Sequence, residues 1–114
     1  MDHPLYLCGV NVAIDAVGSK WKPTLLWVLS SRTHRFAELR RACGSISEKV
    51  LADQLRELER DGLVERTQFE GFPLRVEYSL TERGVSLNAA LDAVAIWGEQ
   101  HVDQLMDARS AASV

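Results

Sequence analysis

The sequence predicts a mainly helical protein with one small β-hairpin, and three observations carry that prediction. The first is the stretch SEKVLADQLRELERDG from Ser47 to Gly62, whose two faces are chemically opposite. On a helix Leu51, Leu55 and Leu58 share one side, while Lys49, Asp53, Arg56 and Arg60 share the other. The second is a shorter amphipathic run just ahead of it, FAELRRAC, with Phe36, Leu39 and Cys43 at one-face spacing. The third is an alternating run behind it, in which Val76, Tyr78 and Leu80 share one face and Arg75, Glu77 and Ser79 the other. Helix, turn, helix and hairpin in that order make a winged helix-turn-helix, whose second helix reads the major groove of DNA. The two helices alone would also fit a small all-helical bundle that never meets DNA; the hairpin weighs against that.

Taken in order, Val10, Ala13, Ile14 and Val17 fall on one face and predict a short helix ended by Gly18. A second helix follows from Trp21 to Ser30, with Pro23 tolerated in its first turn. Its middle, LLWVL, is apolar all round and must be covered on every side. It is either a central core helix or one that turns Trp27 or Val28 toward a second subunit.

After an SSRTHR connection, Phe36–Cys43 is the first helix of the helix-turn-helix, with Arg40 and Arg41 on its outer side, where backbone phosphates lie. The turn Gly44-Ser45-Ile46 reverses the chain and buries Ile46. Ser47 stands where an N-cap belongs and Gly62 where a helix stops with φ > 0. Leu63–Phe69 and Arg75–Leu80 are strands joined by the turn Glu70-Gly71-Phe72-Pro73. Arg75, at the base of this wing, either meets a phosphate or the minor groove, or pairs across the strands with an acid such as Glu65.

Thr81 caps a last helix from Glu82 toward Ala108 with a broad apolar stripe that includes Leu91, Val94, Trp97, His101, Val102 and Leu105. Its far half has more apolar surface than one small domain covers, which a twofold partner would bury. His101 within the stripe reads as an interface residue rather than a metal ligand. The chain is thus one domain over 1–114: N-terminal helices in 1–30, helix-turn-helix in 35–61, wing in 63–80, dimerisation helix in 82–108 and a frayed tail from Arg109.

Composition sets bounds on function. Hydrophobic content of 46% and charged content of 25% are ordinary for a soluble globular protein. No apolar run approaches a membrane span, and MDHPLYLC lacks the shape of a signal peptide, so a cytoplasmic protein is expected. Net charge is −3, but it is unevenly spread. Residues 20–75 hold 11 Lys and Arg against 8 Asp and Glu, while residues 1–19 net −2 and residues 76–114 net −4. A basic middle between acidic ends can present a positive patch on an acidic protein. Cys8 and Cys43 are too few and too far apart for a zinc site or disulfide framework, and His3, His34 and His101 show no ligand spacing. There is no phosphate loop, nucleophile–base pairing or carboxylate cluster, so no enzyme, metal or cofactor is expected.

The run KWKPTLLWVL, then RFAELRRACGSISEKVLADQLRELERDGLVER, FPLRVEYSLTERG and AIWG resembles the HxlR family of bacterial transcriptional regulators. The resemblance covers about Cys8 to His101 and is specific in combination: Lys20-Trp21, Ile46-Ser47 with Leu51, LREL, and VEYSLT. It implies a homodimer that binds a palindromic operator, commonly as a repressor. It also implies a role for Cys8, since relatives carry a cysteine at about this distance before the Lys-Trp pair, where in some it senses quinones, aldehydes, hypochlorite or disulfide stress.

The chain departs from the family pattern at several points. Arg32-Thr33 replaces the usual Gly-Pro before the Arg-Phe pair, and Gly44-Ser45 replaces a Pro-Gly. Cys43 stands where an aliphatic residue is usual. Gly9 follows Cys8 where proline is common, and Val10 stands where formaldehyde-sensing members have lysine, which argues against a methylene-bridged sensor.

On this reading double-stranded DNA is the partner. Arg40, Arg41 and Arg75 contact phosphates, Lys49 and Arg56 donate to guanine edges, and Ser47 reaches a base or phosphate. Asp53 either accepts from cytosine or, as favoured here, orients a neighbouring arginine. Cys8 is the candidate oxidant or electrophile sensor, activated by Lys20, Lys22 or a helix N-terminus. Two other readings stand beside this one: a non-covalent effector held near Trp21, Trp27 and Trp97, and a winged-helix protein-interaction module without DNA.

Overall fold

The computed structural model describes residues 8–112; MDHPLYL, with His3, and the last two residues lie outside the described residues. The elements run α1 (Gly9–Val17), α2 (Lys22–Leu29), α3 (Phe36–Cys43), α4 (Glu48–Arg60), β1 (Val64–Phe69), β2 (Arg75–Leu80) and α5 (Glu82–Ala112). Leu25, Leu26, Val28 and Leu29 of α2 are buried at the centre, against Leu39 of α3, Ile46 of the turn and Leu51, Leu55 and Leu58 of α4. Leu63, Val64 and Tyr78 of the hairpin close this core. Coverage of α2 on every side fails at one position: Val28 is buried, while Trp27 is 69% exposed.

Local chemistry sets the helix ends. Ser19 Oγ accepts from the Lys22 backbone N–H (3.1 Å) at the start of α2. The Glu38 carboxylate accepts from the Arg35 N–H (2.9 Å) at the start of α3, and that bond holds the Glu38 carboxyl below the usual range. Ser47 Oγ accepts from the Val50 N–H (3.2 Å), so Ser47 caps α4. At its other end Gly62 takes φ +72°, a left-handed conformation that glycine adopts without strain.

The hairpin is antiparallel, with Val64 opposite Leu80 and Phe69 opposite Arg75. The His34 N–H donates to Tyr78 O (3.0 Å) and the Tyr78 N–H to His34 O (2.8 Å), so the connection before α3 pairs with β2. This pairing buries His34, which sequence periodicity cannot reveal.

Thr81 Oγ1 accepts from the Gly84 N–H (3.0 Å) and donates to Gly62 O (2.6 Å), joining the start of α5 to the end of α4. Gly84 lies so near the hairpin that a Cβ there would sit 2.1 Å from Leu63 O. Leu87 and Leu91 pack on the core, but Val94, Ile96, Trp97, Val102 and Met106 are exposed. The helix also runs on to Ala112, past the residue where fraying is predicted. Among the described residues no helix is long and apolar enough to cross a membrane.

Candidate nucleic-acid interface

Burying Leu51, Leu55 and Leu58 turns the opposite face of α4 outward. On that face the Lys49 side chain is 86% exposed and that of Arg56 70%. Asp53 lies between them: Lys49 Nζ donates to Oδ2 at 3.0 Å and Arg56 Nη2 donates to Oδ1. These hydrogen bonds, Lys49 first and Arg56 second, hold the Asp53 carboxyl below its ordinary range. Both carboxylate oxygens are engaged by cations, the orienting arrangement favoured from the sequence. Arg60 turns away toward Asp61 (3.2 Å), which raises its already high pKa.

Arg40 and Arg41 are exposed along the cleft between α3 and α4, which Phe36, Ala37, Gly44 and Glu48 also line. Arg40 Nε donates to Ile46 O (3.3 Å) and its Nη1 pairs with Glu48 (3.1 Å), so the guanidinium is braced across the turn. The Ser47 oxygen is occupied by its capping bond, which leaves the hydroxyl proton to donate.

At the wing, the proposed pairing of Arg75 with Glu65 is overturned. The register sets Glu65 opposite Ser79, whereas Arg75 Nε pairs with Glu77 Oε2 (3.0 Å) on its own strand. Its guanidinium also lies over the Phe69 ring, 4.2 Å from the centroid.

Cys8 is exposed just before α1, and its Sγ lies 3.3 Å from Asn11 Oδ1. The two lysines suggested as its activators have other partners: Lys20 Nζ sits over the Trp21 ring (4.8 Å) and Lys22 Nζ pairs with Glu57 (3.0 Å). Cys43 is half-buried among core residues, and burial pushes its thiol pKa up.

Trp21 packs against the core, whereas Trp27 and Trp97 are exposed. Trp97 stacks on His101 (centroids 4.4 Å apart), and His101 Nδ1 lies 2.8 Å from Trp97 O. The clefts lined by Arg40, by Arg56 and by the wing residues include none of the three tryptophans.

A family model described as HxlR-like helix-turn-helix matches residues 16–106. An HTH-type transcriptional regulator of Methanothermobacter thermautotrophicus is 43% identical over 96 residues, covering 84% of this chain and 73% of that protein. The redox regulator HypR in its reduced form superposes with a TM-score of 0.82 at 41% identity, covering 88% of this chain and 99% of that one. The reduced transcriptional regulator YodB from Bacillus subtilis gives a TM-score of 0.74 at 33% identity, covering 83% and 94%. A leucine-anchored second helix behind a short first helix, a two-stranded wing and these matches lead to one assignment: the chain belongs to the HxlR-like helix-turn-helix family of transcriptional regulators.

Proposed function

We propose that this protein is a homodimeric repressor that binds a palindromic operator in the cytoplasm and is released when Cys8 is oxidised or alkylated. The observation that carries the DNA part is the pair Lys49 and Arg56, held by Asp53 on the solvent side of a leucine-anchored helix. Two cations on the exposed face of a second helix suit guanine O6 and N7 in the major groove. Arg40, Arg41 and Arg75 supply sequence-independent attraction to phosphates, and Ser47 adds a donor beside them. The exposed apolar surface of α5, from Val94 to Met106, supports pairing with a second copy. Pairing would set two reading helices about 34 Å apart, one turn of duplex.

Exposure of Cys8 at the start of α1, against the half-buried Cys43, supports Cys8 as the reacting thiol. The related HypR and YodB are described in reduced and in oxidised or diamide-treated forms. Selection of bound duplexes from a random library, before and after diamide, tests both parts. An enriched palindrome lost on oxidation, and retained by Cys8→Ser, is expected. No enrichment removes the DNA reading and leaves a protein-interaction module. Enrichment that Cys8→Ser loses to diamide as fully as wild type removes the sensor. Tryptophan quenching by small molecules then tests an effector near Trp21, Trp27 and Trp97.

A further inference from the structure

α4 has a third face that neither its leucines nor its cations use. At about 100° per residue, Gln54 and Glu57 fall on the flank between the buried row and the row of Lys49, Asp53 and Arg56. Gln54 is tied to the turn that joins α1 to α2, and Glu57 to the first residue of α2. Ser19 Oγ donates to Gln54 Oε1 at 2.6 Å, while accepting from the Lys22 backbone N–H at 3.1 Å. Lys22 Nζ donates to Glu57 Oε1 at 3.0 Å, with the lysine side chain only 6% exposed. Gln54 Nε2 donates to the other Glu57 oxygen at 3.4 Å, which closes the network. Glycine at residue 18 lets the chain turn tightly out of α1 into Ser19, since a Cβ there would lie 2.5 Å from Ile14 O of that helix.

We propose that Ser19, Lys22, Gln54 and Glu57 are positioning residues that fix the roll of α4 about its own axis, and so aim Lys49 and Arg56 at base edges. The inference rests on the DNA reading above. Leucine packing sets how deep the helix lies, but apolar contact is non-directional and tolerates small rotations. Charge-assisted hydrogen bonds on one flank are directional and resist rotation. A helix with its side chains is about 10–12 Å across, so a roll of about 20° moves an outward side chain by about 2 Å. That exceeds the range over which a bidentate hydrogen bond to a base survives, whereas attraction to phosphates falls off slowly. Loss of the clamp is therefore expected to reduce discrimination between sequences more than attraction to duplex DNA in general.

The test uses the full chain and two duplexes of equal length at one salt concentration: the most enriched sequence from the selection and its scrambled form. Lys22→Met keeps the apolar stem and removes the charge; Gln54→Ala and Gly18→Ala act on the same clamp from the other helix and from the turn. Each is expected to weaken binding to the selected duplex by about tenfold, and to the scrambled duplex by less than about twofold. Because the pair acts as a unit, adding Glu57→Gln to Lys22→Met should cost nothing further. Val28→Ala, a core truncation outside the clamp, controls for stability and should leave the ratio of the two affinities unchanged.

Equal losses on both duplexes, or an unchanged ratio in folded Lys22→Met and Gln54→Ala, would overturn the proposal. Should Lys22→Met fail to fold, Gln54→Ala decides, because Gln54 lies outside the buried core. A wild-type protein that binds both duplexes alike overturns the DNA reading itself, and the clamp with it.

Discussion

The outer face of α4 and the far half of α5 are both open to solvent, yet their chemistry is opposite. α4 presents Lys49, Asp53 and Arg56, two cations arranged around one acid. α5 presents Val94, Trp97, Val102 and Leu105 on one side, apolar groups that gain from being covered. Exposure alone therefore says little about function; its chemistry does. Clustered cations with acids bound between them suit a polyanion whose charges they can exchange for. A long apolar stripe on a helix suits another protein surface, and the simplest such surface is its own copy.

The largest effect is expected from a change in α5. Trp97→Glu puts a charge in the stripe while leaving the core untouched, because Trp97 is 54% exposed. Sedimentation should show a monomer, and anisotropy should show operator affinity lowered by about 100-fold or more as one half-site is lost. A dimer that persists with unchanged binding would show that the α5 stripe is not the interface.

From the α4 side, Arg56→Ala is expected to weaken operator binding by about 1–3 kcal/mol and relax specificity at one base pair. Gel shifts like wild type would remove Arg56 from the reading face. A smaller and different change follows for Arg40→Ala or Arg41→Ala. Each should lower the slope of log affinity against log salt by about 1, equally on selected and unrelated duplexes. A loss confined to the selected duplex would make these arginines base readers instead.

The smallest effect concerns Asp53, which sharpens the contrast by testing what an acid does inside a cationic face. Its folded pKa lies below the ordinary aspartate value, so its carboxylate stabilises the fold above that ordinary value. The contribution is lost as pH falls through the depressed one. Asp53→Asn should flatten this acid limb in a melting-temperature profile and raise affinity for unrelated duplexes slightly, by releasing Lys49 and Arg56. A profile that keeps its acid limb would assign the limb to another carboxylate, with Glu38 as the first to test, since its pKa is also lowered.

Much of the fold was legible because helices and hairpins announce themselves in the spacing of apolar residues. The leucine row of α4, its Ser47 cap and the left-handed Gly62 all follow from short-range rules. What short-range rules miss is which partner a charged or aromatic side chain finds. Lys22, expected near Cys8, lies buried on Glu57 of a distant helix. His34, in an apparent loop, pairs its backbone with Tyr78. Arg75 finds Glu77 two residues along its own strand, while strand register sets Phe69 opposite it and leaves Glu65 out of reach. Trp27 is exposed in an otherwise apolar run because α2 is covered on all but one side.

Sequence alone determined the order of elements, the division of α4 into a greasy and a cationic side, and the apolar excess of α5. Those properties depend on periodicities of a few residues, which any chain carries with it before it folds. Tertiary structure alone decided how α4 is held on its flank, through Ser19 and Lys22 reaching Gln54 and Glu57 across 35 residues of chain. Such contacts join groups that no local rule brings together, and they exist only once the core has set one helix against another.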